Sequence, residues 1–243
     1  MKRARVCGFD LYVPDNVAAW DAVAEDSPWE YERIHSILNT LAHGDVLYDV
    51  GAEAGWMSAI YGQHVGGENM VLIEPSPEFW PNIKGCWDWN HLGTPIATVE
   101  GFAAAREVDA HVHVRSWPKS ATGPECGAMA YRHLRHHADI PTVTIDHIGR
   151  ATNLPAKGIT IDVEGAELAV LRGAETTLAV HRPYVWCSIH ADLMVKDFGT
   201  HPDLLQGYML GHGYRAKWLR TDHEEHWLFT PEEIPVNEEV MPA

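Results

Sequence analysis

From residue 45 onward, short apolar runs alternate with longer stretches of helical spacing, the pattern of a parallel sheet covered by helices. Residues 46–50 are an apolar run that stops at Gly51 and reads as a buried strand. Residues 55–63 follow as a helix, with Trp56, Ile60 and Tyr61 at near-helical spacing. Residues 70–74 are the second strand. Pro75, Ser76 and Pro77 open the next helix, because the fixed φ of proline suits a first helical turn. Phe79, Trp80, Ile83 and Trp87 are spaced there to face a core, and residues 95–99 form a third strand. In the second half, strands over 158–163 and 184–189 flank a helix over 167–180 with Leu168, Leu171 and Leu178 on one face. A helix over 201–210 and a strand pair, 213–219 with 225–229, close the pattern.

Two regions depart from this rhythm. Residues 110–114 alternate with period two and then run into a stretch rich in Pro, Gly and Ser. Residues 108–141 therefore read as a hairpin or loop excursion that returns through a strand at 142–145. The first 44 residues carry one amphipathic helix, about 29–41, expected to pack on the sheet as a helical extension. Residues 45–230 are then one α/β domain, and 231–243 an acidic, loose tail.

Composition narrows the function classes. The 243 residues are 46% apolar, enough for one large core. No run of about 18 apolar residues exists to span a membrane. The basic start, Lys2 to Arg5, has no apolar stretch behind it, so no secretory leader is expected. Cys7, Cys86, Cys126 and Cys187 are scattered, which argues against a zinc ribbon or disulfide framework and for a cytoplasmic setting. The net charge of −16 argues against a nucleic-acid partner. Oligomeric state is not legible in the sequence.

The chemistry-bearing stretch is the loop from Asp49 to Gly55, between a strand and a helix. Glycine at such a turn lets the backbone approach a ligand closely. With Ala52 and Glu53 in place of a middle glycine, the loop is a poor dinucleotide fingerprint, and no P-loop follows. A ligand without a pyrophosphate fits better. Glu74 ends the second strand, where an acidic side chain accepts hydrogen bonds from ribose hydroxyls. Asp162 and Glu164 alternate at one strand end, and His190 and Asp192 lie at the end of the next. Ligands in open α/β sheets collect at those carboxyl ends.

Asp49, Gly51, Gly55 and Glu74 resemble the nucleoside site of class I S-adenosylmethionine-dependent methyltransferases. Asp162, Glu164, Gly165 and Glu167, followed by Val170, Leu171, Gly173 and Ala174, closely resemble the D-x-E-G-x-E…V-L-x-G-A signature of the FkbM family. Residues 142–146 are similar to that family's approach to this strand, and 184–190 to its following strand, which ends in His190. Gly213, Tyr214 and residues 226–229 match its final hairpin loosely. The likeness covers about 45–230, with 108–140 poorly matched.

The resemblance implies a Rossmann-like, three-layer α/β/α fold with a mostly parallel seven-stranded sheet. It implies S-adenosylmethionine as cofactor and methyl transfer, by in-line displacement, to a hydroxyl of a sugar, glycan or small metabolite. Asp49 and the backbone from Gly51 through Ala52 to Gly55 would hold the methionine portion and Glu74 the ribose. Phe102 would flank the adenine, with a plain core role as its alternative. Asp162, Glu164 or a neutral His190 would take the acceptor's proton. Alternatively, Asp162 with His190 or Asp192 would hold Mg²⁺. Glu167 reads as a first-turn residue that merely favours its helix. Alternative functions on the same scaffold are N-methylation of another small molecule and non-catalytic S-adenosylmethionine binding. His111, His113, His133, His136 and His137 read as scattered surface residues, Trp80 and Trp87 as core, and Trp117 as a platform for a sugar ring.

Overall fold

The computed structural model describes residues 1–6, 8–15, 30–124 and 140–233 of the chain. It opens with a hairpin of β1 (Lys2–Val6) and β2 (Phe9–Val13), followed by α1 (Tyr31–Thr40). The helix is where its amphipathic pattern predicts; the hairpin is an addition. Val6, Leu11 and Val13 are buried, so the period-two alternation of a strand ties the hairpin to the core. The chain continues through β3 (Leu47–Val50), α2 (Trp56–Val65), β4 (Met70–Ile73), α3 (Trp80–Trp89) and β5 (Ala97–Val99). Three two-residue strands, β6 (Phe102–Ala103), β7 (His113–Val114) and β8 (Thr142–Val143), lead to α4 (Ile145–Thr152). Then come β9 (Gly158–Ile161), α5 (Glu167–Arg172), β10 (Tyr184–Ile189), α6 (Ala191–Phe198), α7 (Pro202–Gly211), β11 (Tyr214–Thr221) and β12 (Glu225–Pro231).

The main sheet has eight strands in the order β11-β12-β10-β9-β3-β4-β5-β7. The five from β10 to β5 run parallel; β12, β11 and β7 pair antiparallel. Seven of these are the strands expected from sequence. The eighth, β7, comes from the 108–141 excursion and pairs Ala97 with Val114 and Thr98 with His113. Every residue of β3, β4 and β9 is buried, as strands covered on both faces must be. Alternate side chains feed two cores. Tyr48, Val50, Val71, Ile73, Ile159 and Ile161 face α4, α5 and α7. Leu47, Met70, Leu72 and Trp186 face α1, α2, α3 and the hairpin. Among the described residues, no helix is long and apolar enough to cross a membrane.

Two expected elements end early, each for a local reason. Residues 142–145 are not one strand, because Thr144 caps α4: its hydroxyl accepts the His147 N–H at 3.0 Å. Asp146 then accepts hydrogen bonds from the Thr176 and Thr177 amides and the Thr177 hydroxyl. Burial alone would raise its pKa, but these bonds hold it below the usual carboxylate range. The expected helix over 167–180 stops at Arg172 and resumes as a π-helical turn, Thr177–His181. At the break, a Cβ added to Gly173 would lie 2.1 Å from the Ala104 carbonyl oxygen. That close crossing leaves no room for a side chain. Only the first residues of the acidic tail are described; 234–243 lie outside the described residues.

Candidate active site

Because β3, β4, β5, β9 and β10 are parallel, their carboxyl ends share one edge of the sheet, and a cavity of about 360 Å³ opens there. The loop after β3 forms its centre. Gly51 lines it with φ 94°, and a Cβ placed there would lie 1.9 Å from the Asp162 carbonyl oxygen. Glycine is therefore required twice, for the left-handed backbone and for the close approach of the loop to the chain leaving β9. Gly51 and Ala52 both donate their amides to the Ile73 carbonyl, which ties the loop to β4.

The other loop residues singled out in the sequence act from behind the cavity wall. Ala52 is buried in the apolar cluster under α2 and α3. Gly55 precedes α2 and lets it approach α3, since a Cβ would lie 2.7 Å from Ile83 Cα. Asp49 is buried and accepts the Ser58 hydroxyl of α2, and burial raises its pKa to about 6 against that bond. These three brace the loop; Glu53 and Met57 are the neighbours that line the cavity with Gly51.

On the β4–β5 side, Glu74 lines the cavity with Ser76, Phe79, Phe102 and Ala103. One Glu74 oxygen accepts the Ser76 N–H at 2.8 Å and the other the Glu53 N–H at 3.0 Å. The two amides fix the carboxylate's direction. Burial pushes its pKa up to about 8, only partly offset by those bonds. Phe102 is half-buried and, like Phe79, lines the wall.

On the β9–β10 side the cavity is acidic. Asp162, Glu164, His190, His223 and Glu30 line it. Glu164 has φ 55°, a left-handed turn just after β9 that sets it at the rim, half-exposed. Arg33, fully buried, joins Glu30 Oε2 at 2.6 Å and Asp162 Oδ2 at 3.0 Å. Burial alone would raise Asp162, but Arg33 and the His190 and His226 imidazoles hold it below its usual range. Burial, with crowding by Asp162, Glu224 and Asp222 and against the pull of Arg33, lifts Glu30 to about 8.

His190 is the hub. Its Nδ1–H donates to Glu167 Oε1 at 2.8 Å, and that oxygen also accepts the Gly165 amide at 2.9 Å. Its Nε2 faces Glu224 Oε2 at 3.5 Å, Asp162 Oδ1 at 3.6 Å and Glu164 Oε1 at 3.9 Å. Burial would lower its pKa, but Glu167, Asp162 and Glu224 raise it to about 10. These carboxylates favour the protonated imidazole over the neutral form that a base at this position would need. Glu167, expected to serve only its helix, is wholly buried and orients this imidazole.

Sequence reasoning missed Glu30, Arg33 and Glu224, whose partners Asp162 and His190 at the cavity lie far away along the chain. Asp222 joins them to a second network: its Oδ2 accepts the Glu30 amide, and its Oδ1 accepts from His226 Nε2, whose Nδ1 takes the Ser188 hydroxyl. Asp192 is corrected in the other direction. It is exposed on α6, and among the described residues it joins no group able to hold a metal; Glu224 completes that group with Asp162 and His190. Among the described residues, each group with metal-ligating geometry includes a histidine, whereas Mg²⁺ prefers oxygen alone. Trp117 stacks edge-on against Trp80 and Trp87 at 6.5 and 6.1 Å and does not line the cavity. The described part of the 108–141 excursion contributes nothing to the wall; His133, His136 and His137 lie outside the described residues.

Comparison with known proteins places the chain in a family and a fold. The family described as the methyltransferase FkbM domain matches residues 49–216. Among solved structures, the chain is similar to methyltransferase FkbM from Methylobacillus flagellatus KT, with 18% identity and a TM-score of 0.52. That match covers 78% of this chain and 44% of the other, so this chain spans less than half the length of that relative. It is also similar in fold to an rRNA methylase from Streptococcus thermophilus, at 7% identity and a TM-score of 0.51, covering 83% of this chain and 96% of that one. No curated protein matches the sequence.

Proposed function

The chain belongs to the FkbM methyltransferase family, and from that premise we propose that it binds S-adenosylmethionine in the strand-end cavity and methylates a hydroxyl oxygen of a small, neutral, polyhydroxylated acceptor such as a sugar. The observation that carries this reading is the division of one cavity by Gly51. On one side stands a carboxylate fixed by two amides, Glu74; on the other stands a cluster of proton-accepting groups.

The residues present fit the cofactor. Glu74 would accept hydrogen bonds from a ribose diol, Phe79 and Phe102 would flank a purine, and the Gly51 backbone would pass close beneath the amino-acid portion. Bound S-adenosylmethionine supplies a methyl group on a positively charged sulfur. The chain's own task is to orient the acceptor and receive its proton. Asp162, held ionised by Arg33, is the base we assign, with Glu164 at the rim as its neighbour. Protonated His190 would donate Nε2–H to the acceptor and hold it against Asp162. The acidic field of Asp162, Glu164 and Glu224 repels phosphorylated acceptors and nucleic acid alike, which favours a neutral polyol.

The test is a screen of sugars, polyols, amines and phosphorylated sugars with S-adenosylmethionine, read by mass spectrometry of the methylated product. A neutral hydroxylated acceptor is expected to gain one methyl group as an ether. Asp162→Asn should then lower kcat by about 10²–10⁴-fold while changing cofactor affinity only a few-fold. Methylation confined to amines, or unchanged kcat in Asp162→Asn, overturns the reading.

A further inference from the structure

Asp162 and His190, the base and the donor of the methyl-transfer reading, also converge with Glu224 into a donor set, in which an ion would take the place of the His190 Nε2 proton. We propose that Asp162, His190 and Glu224 bind a divalent first-row transition metal, with an open position facing the cavity. The three donor atoms converge: His190 Nε2 lies 3.6 Å from Asp162 Oδ1 and 3.5 Å from Glu224 Oε2, and all three fall within 4.8 Å of one another. Two donors about 2.1 Å from a common ion and about 110° apart are separated by about 3.4 Å, so this spacing suits a single ion.

Three further observations point to a cation here. First, His190 is set as a ligand imidazole: Glu167, wholly buried, takes its Nδ1–H and leaves Nε2 aimed at the carboxylates. A carboxylate behind the far nitrogen is the usual support of a metal-bound histidine. Second, the Glu224 side chain is 97% buried and turns its Oε2 into the site, between two imidazoles. It faces His190 Nε2 and, from the rim, His223 Nε2 at 2.5 Å, and Glu224 belongs to each of the three groups with metal-ligating geometry among the described residues. Third, the carboxylates of Asp162, Glu167 and Glu224 all converge on the one imidazole of His190, a buried excess of acceptors that a divalent cation would balance. Arg33 occupies Asp162 Oδ2 and leaves Oδ1 turned to the site.

The imidazole among the donors favours a transition metal over Mg²⁺ or Ca²⁺, which prefer oxygen alone. Since Asp162 and His190 line the cavity, a bound ion would meet the acceptor's oxygen and lower the pKa of a hydroxyl it coordinates. Only this catalytic role rests on the proposed function; binding of the metal does not.

The test uses the 243-residue chain freed of metal by chelation and titrated with Mn²⁺, followed by the spectrum of free Mn²⁺ and by calorimetry. One equivalent is expected to bind, with Mg²⁺ a weak competitor. Glu224→Gln should weaken binding by more than tenfold and Glu167→Gln by about 10–100-fold, whereas Asp192→Asn should bind as the unmodified chain does. Circular dichroism establishes that each variant is folded. No binding to folded protein, equal affinity in Glu224→Gln, or Mg²⁺ binding as tightly as Mn²⁺ each overturns the assignment. S-adenosylmethionine binding, measured on the same samples, separates the two ideas. A chain that takes Mn²⁺ but no cofactor keeps the metal site and loses the methyltransferase reading, and the reverse result loses the metal site alone.

Discussion

Arg33→Met is expected to reduce the free energy of unfolding by about 3–5 kcal/mol, the range found when one partner of a buried ion pair is removed. Methionine reproduces much of the arginine stem, so packing changes little and the loss isolates the charge. Without the guanidinium, Glu30 and Asp162 face each other in the buried network with no fixed cation between them. The sign of the pH dependence follows from Asp162, whose pKa is depressed by Arg33 in the folded chain. Its contribution is present above the unfolded carboxylate value and fades as pH falls through the folded one. The gap between the unmodified chain and the variant, read by urea unfolding, should therefore be full near neutrality and narrow in acid. Adding Glu30→Gln to Arg33→Met should recover part of the loss, because one stranded carboxylate is then gone. A loss below about 1 kcal/mol, the scale of a solvated pair, would contradict the buried network.

Gly51→Ala is expected to be as damaging and for a different reason. The added methyl would meet the Asp162 carbonyl oxygen at 1.9 Å, and φ 94° is a conformation that alanine resists. Left-handed strain costs about 1–3 kcal/mol and overpacking about 1–3 kcal/mol more. Neither backbone can yield easily. Val50 pairs with Ile161 in the parallel ladder, and the Asp162 amide donates to the Val50 carbonyl at 2.9 Å. Relief would have to separate β3 from β9 at the floor of the cavity. The expected outcome is a loss of about 3–5 kcal/mol in urea unfolding, together with loss of cofactor binding even where the variant remains folded in the cold. Near-normal stability would mean that the loop does not lie against β9.

What was legible in the sequence was local. The strands β3, β4 and β9 are short apolar runs closed by glycine, acid or turn residues, and their neighbours have helical spacing; runs of that kind announce themselves. The loop around Gly51, Glu74 at a strand end, and Asp162 with His190 were legible because each sits where a strand hands over to a loop. The hairpin β1–β2 carried a weaker signal, the alternation of Phe9, Leu11 and Val13 after Gly8, in strands of only five residues. Thr142 to Ile145 misled because an alternating apolar pattern is also what a capping threonine before a helix produces. The ionic network was not legible at all. Arg33 meets Asp162 across 129 positions and His190 meets Glu224 across 34, and no local periodicity encodes such pairs. Glu167 was misread for the same reason: its first-turn position was visible, and its contact with His190 was not.

The most direct test of the central claim is calorimetric titration of S-adenosylmethionine into the unmodified chain and into Glu74→Ala. One site is expected in the unmodified chain, and removal of the carboxyl group should weaken it by about 5–150-fold, the equivalent of the about 1–3 kcal/mol cost of leaving buried ribose hydroxyls without a partner. Absence of binding to well-folded protein, or equal affinity in Glu74→Ala, would contradict the assignment of the strand-end cavity as the cofactor site.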